Sequence, residues 1–178
     1  MTQPKVAAEL EIRPIEPGDK ASLAAAVDQS SDEAIYRRFL NPHGRLTATE
    51  LRYLTEVDHR DHEALIALDP ASNEGVGVAR YVRDPERRDS AEIAVAVLER
   101  WQGQGVGKAL VHRLADRAHD EDIAQFTGLM LSHNRPMRCL LADLGTTRLL
   151  SSEAGAIELA VDLGQVAELS GSQTPVRV

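Results

Sequence analysis

One segment limits the folding options of this chain more than any other: the glycine-rich run Gln102-Gly103-Gln104-Gly105-Val106-Gly107-Lys108. Ahead of it, Ser90 to Leu98 reads as an apolar strand. Behind it, Val106, Leu110 and Leu114 recur every fourth residue, so Gly105 to Asp120 reads as a helix with one apolar stripe. Glycines let a backbone adopt positive φ and approach a ligand closely. The first-turn N–H groups of the helix have no intrahelical acceptor, and with the helix dipole they favour phosphate or pyrophosphate. Two known phosphate loops fail on spacing. A P-loop needs glycine where Gln102 stands, and Ser or Thr where Ala109 stands. A dinucleotide fingerprint begun at Gly103 needs glycine at Lys108, and one begun at Gly105 needs Gly or Ala at Leu110.

The surrounding pattern predicts an α+β fold. Glu9 to Ile15 alternates as a first strand, and the Ala-rich stretch after Gly18-Asp19 reads as a helix to about Gln29. Ser31 with Asp32-Glu33 marks a second helix start. Thr47 and Glu50 have capping-box spacing for a helix ending near Val57. Strands follow at Glu63–Leu68, Gly75–Arg83 and Ser90–Leu98, with turns at Asn73-Glu74-Gly75 and Asp84-Pro85. After the glycine loop and its helix come a buried strand (Ile123–Leu131) and a helix (Pro136–Leu144) stopped by Gly145 as C′ residue. Closing strands are expected at Thr146–Leu150 and Ala156–Leu163. Strands outnumber helices in the middle, which argues against a doubly wound nucleotide fold. The expected organisation is a flexible N-terminus over 1–8, one domain over 9–163 and a loose tail over 164–178.

Composition narrows the function. With 20 Lys+Arg against 28 Asp+Glu the formal charge is −8, which argues against a general nucleic-acid binder and suits a cationic substrate. Aromatics are 3 %, so aliphatic side chains must build the core. A single cysteine, Cys139, excludes an intrachain disulfide and a four-cysteine zinc site; on its helix it reads as a small core residue. The segment Asp58-His59-Arg60-Asp61-His62-Glu63 looks metal-binding, but strand alternation would scatter its side chains over both faces, and no metal is expected. The first residues lack a signal-peptide apolar region, and no apolar run spans a bilayer. The expectation is a cytoplasmic protein with no membrane partner.

The loop matches Gln/Arg-x-x-Gly-x-Gly/Ala in full, and from about Glu9 to Leu163 the chain resembles the GNAT acetyltransferase superfamily in element order. That resemblance implies a mixed, mostly antiparallel sheet flanked by helices, and acetyl-CoA as cosubstrate. It implies that backbone N–H groups from Gln102, Gly103, Gln104, Gly105, Val106, Gly107 and Lys108 bind the pyrophosphate. It places the pantetheine arm against the main chain of Val95 and Val97. Asn134 would contact pantetheine or an ordered water, and an N-cap role is equally physical. The Lys108 ammonium either adds charge near a phosphate or is simply solvated. The segment around Asp58–Ala64 and the strand Gly77-Val78-Ala79-Arg80-Tyr81 further resemble bacterial protein lysine acetyltransferases fused to a cyclic-nucleotide-binding or acyl-CoA-synthetase-like domain. No such fusion domain is expected within 178 residues.

Glu92 is the candidate catalytic residue. It stands alone among apolar neighbours, with small Ala94 and Ala96 on its own face. Burial without a cation would raise its pKa and suit proton transfer. The resemblance likewise implies a strand carboxylate as general base; the competing reading pairs Glu92 with Arg80, Arg83, Arg87 or Arg88. Family members often carry a Tyr as general acid where this chain has Leu141, and a thiol of pKa about 8.5 can leave as thiolate without one. Acidic Glu56, Asp58, Asp61 and Glu63 either attract a cationic substrate or form a solvated face. The expected activity is direct acetyl transfer to an amine, foremost a protein lysine, with the Val97 main chain polarising the thioester carbonyl. Acetylation of small amines and a catalytically weak acyl-CoA-binding regulatory module are the alternatives, and a homodimer is compatible with each.

Overall fold

Two-residue apolar alternation dictates strands wherever one sheet face must be buried. In the computed structural model, which describes residues 10–28 and 46–164, those strands join a single sheet. In chain order the elements are β1 (Glu11–Pro14), a short 3-10 turn (Pro17–Asp19), α1 (Lys20–Asp28), α2 (Ala48–Thr55), β2 (His62–Asp69), β3 (Glu74–Arg83) and β4 (Ser90–Val97). A second 3-10 turn (Glu99–Trp101), α3 (Val106–Asp120), β5 (Gln125–Leu131), α4 (Arg135–Leu144), β6 (Thr146–Glu153) and β7 (Ala156–Asp162) complete it. The second helix start at Ser31, the N-terminus and the tail beyond Gly164 lie outside the described residues.

The seven strands run in the order β1-β2-β3-β4-β5-β7-β6, and every neighbouring pair is antiparallel except β4 and β5. That parallel pair is short. It holds only Ser90 to Gln125, Ala91 to Phe126 and Glu92 to Thr127 before the strands part, although both continue for several residues. The sheet therefore opens at its centre.

Each half of the core has its own helices. Ile15, Leu23, Ala64, Ile66 and Leu68 pack under α1 and α2, while Val106, Leu110, Val111 and Leu114 of α3 join Tyr81, Ile93, Phe126 and Leu141 on the other face. The α3 stripe is the one its four-residue spacing dictates, and full burial of four such aliphatics contributes on the order of 1.5–3 kcal/mol apiece. Helix α2 starts where its capping box directs: Thr47 accepts from Glu50 N, and the Glu50 carboxylate accepts from Thr47 N at 2.7 Å.

Local reading misjudged Gly145. It does not take the left-handed conformation of a C′ glycine; at φ 167 it is extended, as any residue can be. What requires glycine is the approach of β7, because a Cβ at 145 would run into the Asp162 carbonyl oxygen. The last hairpin is also tighter than expected. β6 continues to Glu153, and Ala154 (φ 49) with Gly155 (φ 83) makes a two-residue turn of the kind that matches strand twist.

Candidate active site

The gap between β4 and β5 organises the site. Leu98 N donates to Val76 O at 3.0 Å, and the β3–β4 register pairs Gly77 with Val97. In an antiparallel ladder alternate residues face the partner, so Ala96, Ala94 and Glu92 direct their backbone groups to β3. Val95 and Val97 direct theirs toward β5, which has already diverged. The Val97 carbonyl takes the Gln102 side-chain amide at 3.0 Å. The strand edge at Val95, with the Val97 N–H, suits an extended, amide-bearing ligand that pairs like another strand.

The glycine loop closes one mouth of this gap. Gly103 (φ 71) and Gly105 (φ 86) are both left-handed, a conformation that costs other residues roughly 1 kcal/mol or more. Gly105 is the N-cap of α3, and Ala109 N donates to Gly105 O at 2.9 Å. The N–H groups of Val106, Gly107 and Lys108 thus precede the first helical bond and point out of the helix start. Gln102 differs from the expectation, because its own N–H donates back to Glu99 O at 3.1 Å. The open run starts at Gly103, and Gln102 instead ties the loop to β4 through its side chain. The Gln104 amide holds Arg100 O at 2.5 Å. No acidic residue lies in the first turn of α3, which leaves its positive end uncompensated.

Lys108 is held at the helix start by an ion pair. Its ammonium sits 2.9 Å from the Asp143 carboxylate of α4, which also takes His112 Nε2 at 2.6 Å. The hydrogen bond from His112, then that from Lys108, hold the Asp143 carboxyl below its usual range. Asn134 is the N-cap of α4, accepting from Met137 N at 3.2 Å. Leu141 is fully buried against the core, so the position where the resemblance implies an acid contributes packing. Cys139, expected inside, is exposed, because Met137, Leu140, Leu141 and Leu144 form the inward face of α4.

Glu92 stands at the fork, where Glu92 and Thr127 make the last β4–β5 pair. The expected burial is absent: its side chain is exposed into a cleft of about 270 Å³ shared with Leu46, Tyr53, Leu54, Arg80, Val82 and Ala94. The ion pairs weighed against a catalytic role do not form. Arg83 and Arg88 engage Asp61, and Arg87 engages Asp84. Arg80 is buried and reaches His62 Nε2 and Leu54 O, each at 3.3 Å. Burial and the neighbouring Arg80 charge push the His62 pKa down to about 4, so His62 accepts from Arg80 as a neutral ring. Arg80 lines the cleft and His62 holds it from behind; the sequence offered them only as a salt-bridge candidate and as part of a metal-like cluster.

That cluster has structural duties. Asp58 Oδ1 accepts the N–H groups of Arg60, Asp61 and His62 at 3.0, 2.9 and 2.8 Å. Glu63 is fully buried on the α3 face, bound by Arg117 Nε at 3.0 Å and His59 Nδ1 at 2.7 Å. Glu56 pairs with Lys20. All four acids proposed as attractors of a cation are therefore engaged, and no grouping able to hold a metal ion occurs among the described residues. Nor is any described helix long and apolar enough to cross a membrane.

A forked sheet with a glycine loop capping a helix at its centre defines an acyl-CoA-handling fold. The family model for the Acetyltransferase (GNAT) family matches residues 30–145, and the chain belongs to that family, whose members use acetyl-CoA. Among curated relatives, Acetyltransferase Pat of Mycolicibacterium smegmatis is 30 % identical over 155 residues, covering 87 % of this chain and 46 % of the relative. The chain thus spans about half the length of that protein. Acetyltransferase PA5475 of Pseudomonas aeruginosa is 28 % identical over 136 residues, 75 % of this chain and 73 % of the relative. Among solved structures, the GNAT domain of S. lividans PAT superposes with a TM-score of 0.79 at 31 % identity, covering 86 % of this chain and 90 % of that one. The Salmonella typhimurium protein yncA, solved with acetyl-CoA, shares the fold at a TM-score of 0.71 and 18 % identity, over 89 % of this chain and 96 % of that one.

Proposed function

We propose that the protein is an acetyl-CoA-dependent N-acetyltransferase whose acceptors are lysine side chains of proteins, carried by a catalytic unit over residues 9–163. The observation behind this reading is the fork itself. Strand edge at Val95 and the Val97 N–H, turned away from β3 and beyond the last β4–β5 pair, meets open helix-start N–H groups at one mouth and an exposed carboxylate, Glu92, at the other. The likeness to Pat and to the S. lividans PAT domain supports lysine as the acceptor class.

In this reading the loop from Gly103 to Lys108 binds the diphosphate of the cosubstrate, and the β4 edge aligns its amide-bearing arm. Main-chain N–H at Val97 polarises the thioester carbonyl. A lysine enters through the cleft walled by Tyr53, Leu54 and Val82, which accommodate its methylene stem. Its neutral amine attacks the carbonyl carbon, a C–N bond forms and the C–S bond breaks. Glu92 receives the amine proton, directly or through water, and the thiolate leaves without a protein acid, consistent with Leu141 being sealed in the core.

The test is incubation of the protein with isotope-labelled acetyl-CoA and cell lysate, read by mass spectrometry, with thiol release on a panel of small amines in parallel. Label on protein lysines above the uncatalysed background is expected. Label confined to small amines would move the acceptor class, and no thiol release from any acceptor would reduce the protein to an acyl-CoA binder.

A further inference from the structure

Two hydroxyls adjoin Glu92 where β4 and β5 part. Ala91 and Ile93 of β4 and Phe126 of β5 turn into the core packed on α3, so Ser90, Glu92 and Thr127 share the opposite face. Of the sheet neighbours of Glu92 on that face, Val82 and Ala94 are apolar, whereas Thr127 on β5 and Ser90 along β4 carry hydroxyls. Ser90 is 2 % exposed, and its Oγ has no hydrogen-bond partner. Thr127 is 7 % exposed, and among the described residues its hydroxyl makes no hydrogen bond either. Burying a hydroxyl without a partner is unfavourable, and alanine or valine would fill these positions without that cost. Threonine favours strands in its own right, whereas an unpartnered buried serine hydroxyl gives a strand nothing.

We propose that Thr127 is a positioning residue for Glu92, with Ser90 in support: their hydroxyls hold the carboxyl group in line with the acceptor amine once the cleft is occupied. The proposal rests on the reading of Glu92 as proton acceptor and adds the groups that aim it. Glu92 and Thr127 are direct partners across the strand gap. Opposed residues on neighbouring strands lie roughly 5 Å apart, and the three torsions of a glutamate let its carboxylate close that gap to hydrogen-bond distance. With the cleft empty, Glu92 is exposed and bonds to neither hydroxyl. Contacts of a catalytic base commonly tighten only when substrate binds. A hydroxyl suits both stages of the transfer. It donates to the carboxylate beforehand and accepts from the carboxylic acid afterwards. A lysine or arginine in its place would hold the carboxylate in its charged form and weaken it as a base. Glu92 gains one proton from the amine nitrogen, and Thr127 and Ser90 exchange none.

The experiment removes the hydroxyls one at a time and follows thiol release from acetyl-CoA with a lysine peptide, or with a small amine if that is the acceptor. Thr127→Val deletes the hydroxyl at nearly constant volume. It should lower kcat about tenfold and leave KM for both substrates within about twofold, because the bond forms as the proton is transferred. Thr127→Ser restores a hydroxyl and should recover most of that loss. Ser90→Ala should lower kcat about threefold, as a supporting contact would. In a Glu92→Ala background, Thr127→Val should have no further effect, since the hydroxyl acts through the carboxylate. Urea unfolding of each variant checks that packing is intact. A wild-type kcat for Thr127→Val, a Thr127→Ser variant as slow as Thr127→Val, or an equal loss in the Glu92→Ala background would overturn the proposal and leave Glu92 as the base. Were Glu92→Ala alone to turn over at the unaltered rate, or no acceptor to release thiol, the reading of Glu92 would fail and take this proposal with it.

Discussion

At one end of the β4–β5 gap the chain presents backbone: the N–H groups after Gly103 and the open edge at Val95 and Val97. At the other end it presents side chains drawn from three elements: Tyr53 from α2, Arg80 from β3 and Glu92 from β4. The mouth proposed for the cosubstrate is contiguous in sequence and depends on glycine conformation. The mouth proposed for the acceptor depends on strand register and on which helix covers which face. A ligand common to a whole family can be held by main chain, whereas the acceptor must be distinguished by side chains that vary freely.

The largest effect should fall on the side-chain mouth. Glu92→Gln is expected to lower kcat about 10²–10³-fold near neutral pH with KM for acetyl-CoA unchanged, measured by steady-state thiol release. A wild-type kcat would transfer the proton-accepting role elsewhere. The backbone mouth is probed by Gly105→Glu, which imposes a side chain on a left-handed residue and sets a carboxylate against the diphosphate. Calorimetric affinity for acetyl-CoA should fall by about a hundredfold, and an unaltered Kd would displace the diphosphate from this loop.

The two mouths are braced through Glu63 and Arg117, which join the start of β2 to α3. Arg117→Met leaves a fully buried carboxylate with only His59 and the Ala64 N–H bonded to it and should cost about 2 kcal/mol in urea unfolding. Comparable loss of both acetyl-CoA affinity and turnover would show that the mouths share this brace. Loss confined to one would show them independent. A further effect is from pH. His62 has a folded pKa of about 4 against about 6.5 unfolded, so its contribution to stability is complete above 6.5 and is lost as pH falls toward 4. His62→Gln should flatten the unfolding midpoint between those pH values, while an unchanged slope would place the titration on other groups.

Legibility followed the same division. Thr47 and Glu50 announced the start of α2, and the Val106, Leu110 and Leu114 spacing announced α3, because caps and stripes depend on residues a turn apart. Gly145 was located correctly and explained wrongly: the need for glycine comes from Asp162, seventeen positions away in β7. Glu92 stood out as a lone carboxylate in an apolar strand, yet alternation could not reveal that its face opens into a cleft. Cys139 shows the same limit, since helix α4 buries only the Met137, Leu140, Leu141 and Leu144 side.

The sequence alone determined the element order, the glycine loop and the helix it starts, because each depends on torsions and periodicity set within a few residues. Tertiary structure decided where β4 and β5 part, and which carboxylates are engaged and which remains open. Those follow from strand register and from competition among arginines for acids distant in the chain, for which local sequence carries no physical signal.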